Sequence, residues 1–164
     1  MTHVAYISIG SNLNDRIRNC KIAIDQITQF AKITLCSSFY ETESWGYQDE
    51  NLYINSVIKI ETGLDAHQLL NNLKIIEKKI GRLKKTRNNI YESRVIDLDI
   101  LFFDNLILSS SDLTIPHIHI YDRNYVLIPL NEIDSDFICP LKKDKISNLL
   151  IKCKDKSKVY IYPH

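Results

Sequence analysis

Apolar and polar positions alternate from Val4 to Ile9, and the run breaks at Gly10-Ser11-Asn12, which predicts a first strand followed by a turn. Asn12 or Asn14 is then placed to cap a helix whose apolar positions Ile17, Ile22, Ile24, Ile27 and Phe30 recur at helical spacing. Ile33 to Thr42 reads as a second strand, Glu43 to Asn51 as a polar, aromatic loop, and Tyr53 to Thr62 as a third strand. Asp65 caps a second predicted helix with Leu69, Leu70, Leu73, Ile76 and Ile80 as its stripe and Gly81 as its stop. Arg82 to Ser93 has no hydrophobic period and reads as a mobile basic loop. Val95 to Phe103 predicts a fourth strand, and Asp104-Asn105 a turn into a short fifth, Leu106 to Leu108.

The order through Phe103 is therefore β-α-β-β-α-β. It predicts an α+β domain of the ferredoxin-like split βαβ type, an antiparallel sheet with its helices on one face. The remaining third adds a Pro116-His117 loop, a helix from Asn124 to Ile133 and a last strand near Val159 to Tyr162, as a C-terminal extension. No repeat or linker interrupts the pattern, so residues 1–164 are expected to form a single domain.

Composition changes this picture only through charge. The 164 residues carry 21 Lys and Arg against 20 Asp and Glu, a net of +1. Lys74 to Arg94 alone holds +6 and Lys142 to Lys158 holds +5, which leaves −10 on the rest of the chain. An acidic body with a compact basic segment fits a local polyanion better than a nucleic-acid face. The four cysteines form no C-x-x-C pair, no signal peptide is evident, and no apolar run reaches the roughly 20 residues that span a bilayer. A cytoplasmic protein with free thiols and no membrane partner is expected.

Asp97-Leu98-Asp99 is the strongest chemical feature. On a strand the two carboxylates share a face, about 6.5 to 7 Å apart along the chain, and paired carboxylates suit hard cations such as Mg²⁺ shared with substrate phosphates. The competing reading is plain solvent-facing polarity, which is what most short D-x-D motifs are. The basic loop immediately upstream, with Arg82, Lys84, Lys85, Arg87 and Arg94, shifts the balance, since carboxylates for metal and guanidinium groups for phosphate oxygens are what a nucleotide polyphosphate needs. Tyr53 and Asn55 share a face of the third strand and Tyr125 follows Arg123, so an aromatic pair with an amide is available to clamp a flat heterocycle. Ordinary core packing accounts for either tyrosine taken singly.

Together these residues resemble the 6-hydroxymethyl-7,8-dihydropterin pyrophosphokinase family, along essentially the whole chain and in order. The resemblance runs through Ala5 to Leu13, Ser37 to Thr42, Gly46-Tyr47-Gln48-Asp49, Tyr53-Ile54-Asn55, Glu77, Gly81-Arg82, Arg94 to Leu101, Pro116-His117, Arg123 and Pro129-Leu130. It implies transfer of pyrophosphate from ATP to a hydroxymethyl-dihydropterin by a monomer. Asp97 and Asp99 would bind two Mg²⁺ ions, and Arg82 and Arg94 would stabilise charge on the transferred group. It further implies ATP contacts at Glu77, Lys84, Ile100, Thr114, His117 and Arg123, and a pterin pocket of Thr42, Trp45, Tyr53, Asn55 and Tyr125. The chain departs from the family pattern at Tyr91-Glu92-Ser93, where many members have Trp-Gly-Pro. The rival reading is a non-catalytic ferredoxin-like module for RNA or small ligands, for which Asp97 and Asp99 would be dispensable.

Overall fold

A computed structural model describes residues 1–44, 50–81 and 95–163. The first strand, β1 (His3–Ser11), lies in the middle of the sheet, and its alternation sorts the two faces. Ala5, Ile7 and Ile9 are fully buried under the first two helices, whereas Tyr6 turns to the opposite face. Helix α1 (Arg16–Ile27) follows, and its cap is Asp15, whose side chain accepts the Arg18 N–H, in place of the expected Asn12 or Asn14. Its inward face is Asn19, Cys20, Ala23 and Ile27, while Ile22 is exposed.

The expected single strand from Ile33 to Thr42 is two strands, β2 (Ala31–Cys36) and β3 (Tyr40–Thr42). The break is chemical. The Ser37 N–H still donates to the Val57 carbonyl at 2.9 Å, but the Val57 N–H goes to the Ser37 hydroxyl at 2.9 Å and the Ser38 N–H to both carboxylate oxygens of Glu132 at 3.0 and 2.8 Å, which interrupts the ladder. Strand β4 (Tyr53–Thr62) matches its predicted span and pairs with β1, β2 and β3. Helix α2 (Ala66–Ile80) opens with a reciprocal capping box between Asp65 and Gln68. It stops at Gly81, whose φ of 116° is left-handed and strains any residue with a Cβ.

Strand β5 (Asp97–Phe103) is the edge of the sheet beyond β1. The expected fifth strand is shifted to β6 (Leu108–Ser109), which pairs with β7 (Thr114–Ile115) in a separate two-stranded ribbon. A single 3-10 turn (Ile120–Asp122) leads into α3 (Asn124–Asp134). Helix α4 (Ile146–Lys152), which the sequence pattern did not announce, and β8 (Val159–Ile161) complete the chain.

The main sheet runs β5-β1-β4-β3-β8, with β2 also on β4, and every pairing is antiparallel. Helices α1 and α2 cover one face. The C-terminal third does not extend that layer. Val126, Leu127 and Leu130 of α3 and Ile146 and Leu149 of α4 pack on Tyr6, Val57, Leu101 and Phe102 of the other face. Helices therefore lie on both faces, and the site lies at the margin of this second layer.

Candidate active site

The floor of the site follows from strand register. Gly10 is the cross-strand partner of both Asp97 on β5 and Asn55 on β4, and Ser8 is the partner of Asp99. Directly opposed residues point to one face, so Asp97, Asp99, Asn55 and Tyr53 all project from the face that carries α3. Leu98 and Ile100 point the other way into the α1 and α2 core, at 3% exposure each. The two small residues on β1 leave the space between carboxylates and amide open. A Cβ on Gly10 would meet Asn55 Oδ1 at 3.2 Å and Tyr53 Cδ1 at 3.7 Å.

Above this floor lies an open cleft lined among others by Thr42, Glu43, Tyr53, Asn55, Asp97, Asp99, Arg123 and Tyr125. The Asn55 amide group donates to Thr42 Oγ1 at 2.8 Å, which fixes the orientation of the buried carboxamide and turns its carbonyl oxygen toward the space over Gly10. A ligand edge carrying N–H groups is the complement of that oxygen.

Arg123 and Tyr125 come from the start of α3, with the guanidinium carbon 5.8 Å from the Tyr125 ring centre. Burial raises the Tyr125 phenol above its ordinary value, against a lowering influence of Arg123, so the ring stays neutral. His117 joins the site through its loop, with its backbone N–H on the Leu101 carbonyl at 3.0 Å and Nε2 4.0 Å from Asp99 Oδ1. Its Nδ1 accepts the His119 N–H at 3.2 Å, so the neutral ring carries its proton on Nε2, facing the carboxylate. Burial, then Arg123 and His119, push the imidazole down to about 4 against the opposite pull of Asp97. The approach to Asp99 is therefore a neutral N–H facing a carboxylate, and at 4.0 Å it is no ion pair.

Seven residues singled out in the sequence thus meet in one cleft: Thr42, Tyr53, Asn55, Asp97, Asp99, Arg123 and Tyr125. Glu77 and Ile100 lie on the helix side of β5, where Glu77 Oε2 accepts the Leu98 N–H at 3.1 Å. Thr114 is exposed on β7. Trp45, Arg82, Lys84 and Arg94 lie outside the described residues. Sequence reasoning missed Gly10 and Ser8 as floor residues and Glu43 at the rim. The signal for the first two was the placement of small residues on a strand flanked by a D-x-D strand.

The donor set fits a hard cation that is shared with its substrate. Asp97 and Asp99 offer carboxylate oxygens on one face, and no group of three or more His, Cys, Asp or Glu that could hold a metal occurs among the described residues. Such a pair leaves most positions on a magnesium ion to water and phosphate oxygens, which is that ion's usual habit. No helix among the described residues is long and apolar enough to cross a membrane.

The described residues thus form an α+β fold in which a sheet-floored cleft sets paired carboxylates beside an aromatic, amide-bearing wall. The family model for 7,8-dihydro-6-hydroxymethylpterin-pyrophosphokinase (HPPK) matches residues 6–135, and the chain belongs to that family. It is 38% identical over 161 residues to the 2-amino-4-hydroxy-6-hydroxymethyldihydropteridine pyrophosphokinase of Haemophilus influenzae, covering 97% of this chain and 98% of that one. The Bacillus subtilis protein of the same name is 37% identical, with 81% and 79% covered. A folic acid synthesis protein of Pneumocystis carinii is 36% identical over 92% of this chain, which spans only 20% of that longer protein. The fold is similar to that of wild-type Plasmodium falciparum HPPK-DHPS, with a TM-score of 0.71 at 17% identity, over 93% of this chain and 45% of that chain.

Proposed function

We propose that the chain transfers the pyrophosphoryl group of ATP to the hydroxymethyl oxygen of 6-hydroxymethyl-7,8-dihydropterin in folate synthesis. The alcohol oxygen bonds to the β-phosphorus, the bond from that phosphorus to the α,β-bridging oxygen breaks, and AMP leaves with the bridging oxygen while the alcohol proton is released. The observation that carries the reading is the register that sets Asp97 and Asp99 on one face with Asn55 and Tyr53, across Gly10. Family membership agrees with it.

In this reading Tyr53 and Tyr125 stack on the two faces of the pterin, and Thr42 holds Asn55 so that its carbonyl oxygen takes the ring's N–H edge. Trp45 would contact the same ring. His117 and Arg123 take phosphate oxygens, Glu77 braces β5, and Ile100 meets the nucleotide through the backbone of that edge strand, with Thr114 beside it. Arg82, Lys84 and Arg94 neutralise charge on the group in transfer. Asp97 and Asp99 would hold two magnesium ions, which supply charge neutralisation to the phosphates. The protein's remaining task is alignment of the alcohol with the phosphorus, and no side chain need serve as a general base.

We read the pairing order, in which β4 lies between β1 on one side and β2 and β3 on the other, as the split βαβ arrangement. We read residues 1–164 as one such pyrophosphokinase domain acting as a monomer. A ferredoxin-like RNA-binding module would present a basic sheet face, and this sheet face carries two carboxylates. Incubation with ATP, the hydroxymethyl-dihydropterin and Mg²⁺ is expected to give AMP and the pterin diphosphate. ADP in place of AMP, or no nucleotide turnover by folded protein, would overturn the reading.

A further inference from the structure

The second basic stretch, Lys142 to Lys158, has no part in the chemistry proposed above, yet the chain that ends it reaches the cleft wall. Helix α3 delivers Arg123 and Tyr125, and it starts without a cap of its own, because the residue at the N-cap position is Arg123 and its side chain makes no capping bond. An arginine has no acceptor to offer the free N–H groups of a first turn. The acceptor comes from 31 residues further along the chain. Asp155 Oδ2 takes the Asn124 N–H at 3.1 Å. Its Oδ1 accepts the Ser157 N–H at 2.9 Å and the Ser157 hydroxyl at 2.5 Å, which locks the carboxylate in place. The buried Asn124 side chain answers by donating from Nδ2 to the Ser157 carbonyl at 2.6 Å.

We propose that residues 153–158 form a latch in which Asp155 caps α3 from outside the helix and, with Asn124, positions Arg123 and Tyr125 in the cleft. The proposal rests on the pyrophosphokinase reading for its ligands, although not for the latch itself. Asp155 and Asn124 are positioning residues: Asp155 holds the backbone of Asn124, which lies between Arg123 and Tyr125 in the chain, and neither lines the cleft. The carboxylate also suits the place electrically, since an anion at a helix N-terminus and beside Arg123 is favourable. Past the latch the chain is pinned again, where Tyr162 donates its N–H to the Phe39 carbonyl at 2.8 Å and β8 pairs with β3, the strand that carries Thr42. The C-terminal segment thus joins the two walls of the cleft, Tyr125 on one side and Thr42 on the other.

The test compares wild type with Asp155→Ala, Asp155→Asn and Asp144→Ala. The last removes a half-buried carboxylate from the same C-terminal third, where it holds Lys152 and Asn148 of α4 and makes no bond to the first turn of α3. Amide hydrogen exchange over residues 124–127 is expected to quicken about fivefold in Asp155→Ala, the usual worth of a cap, and to recover in part in Asp155→Asn, which keeps one of the two acceptor oxygens. In steady-state kinetics Asp155→Ala is expected to raise KM for both ATP and the pterin about tenfold, with a smaller fall in kcat, whereas Asp144→Ala lowers only the melting temperature. If Asp155→Ala does not fold, Asn124→Ala removes the 2.6 Å bond alone and carries the same comparison. Unchanged exchange in the first turn of α3 would overturn the latch, and quickened exchange with KM values within twofold of wild type would overturn its positioning role. A wild-type chain that produces no AMP would instead overturn the pyrophosphokinase reading, with the exchange measurement still deciding the latch.

Discussion

Asp97 and Gly10 face each other across the β1–β5 ladder, and Gly10 also faces Asn55 across the β1–β4 ladder, so one residue without a side chain separates the Asp97 carboxylate from the Asn55 amide. A methyl group at Gly10 would sit 3.2 Å from Asn55 Oδ1 and 3.7 Å from the Tyr53 ring. No positive φ is needed at this glycine, so alanine fits the backbone, and a β-strand interior gains from the lower entropy of its unfolded chain. Because the Asn55 carboxamide is held by Thr42, that contact offsets the backbone gain, and Gly10→Ala is expected to melt at or slightly below the wild-type temperature while weakening pterin binding about tenfold and ATP binding much less. Titration of each ligand by calorimetry checks the split, and equal losses for both ligands would contradict a floor role.

The paired carboxylates should behave as functional residues that the fold does not need. Both are partly exposed on an edge strand, and two like charges on one face repel when no cation is bound. Asp97→Asn and Asp99→Asn are expected to melt at or above the wild-type temperature in chelator, yet to lose turnover by at least about a hundredfold. Mg²⁺ with ATP should raise the melting temperature of wild type, since binding to the native state stabilises it by mass action. In either variant that increment should shrink. An unchanged increment in both would place the metal elsewhere.

Glu77 is expected to separate bracing from ligand binding. The residue is 7% exposed, and its carboxylate takes the Leu98 N–H, the amide between the two aspartates. Glu77→Ala leaves that buried donor unpaired, at a cost of about 1 to 3 kcal/mol. Glu77→Gln keeps an acceptor oxygen and should recover most of that stability. Denaturant melts of the two variants give the comparison, and equal destabilisation would mean that the negative charge matters more than the hydrogen bond.

These relationships show why the site is only partly legible in the sequence. Period-2 alternation is local, so it assigns Asp97 with Asp99, and Tyr53 with Asn55, to common faces. That the two faces are the same face depends on register across β1, which alternation along one strand does not contain. The same limit explains the broken second strand. Ile33 to Thr42 is continuous in β propensity, but Glu132 on α3 takes the Ser38 N–H from 94 residues away. Cys20 and Ala23 displace Ile22 from the core because small residues let α1 approach the sheet, and a hydrophobicity count ranks them the other way. The fold order is legible because each strand and helix carries its own period. The second helical layer is not, since α4 is 7 residues long and has too few turns to show one.

The anchoring of α3's far end should make stability depend on acid pH. Asp134 closes the helix over the sheet, where its Oδ2 accepts from the Tyr6 hydroxyl at 2.5 Å and from Lys59 Nζ at 2.9 Å. Partial burial alone would raise this carboxyl, but the Tyr6 and Lys59 bonds outweigh burial and hold it below its usual value. A carboxyl that is depressed in the folded state stabilises that state above its unfolded pKa, about 3.9, and the contribution fades as pH falls through the lower folded value. Wild type is thus expected to exceed Asp134→Asn by about 1 kcal/mol near pH 7, a modest figure because the carboxylate is only partly shielded from water. The gap should close below about pH 4, where the unfolded carboxyl is protonated. Urea melts of both proteins at pH 3, 5 and 7 measure the difference directly. A gap that persists undiminished at pH 3 would show that Asp134 acts through packing, with its charge playing no part.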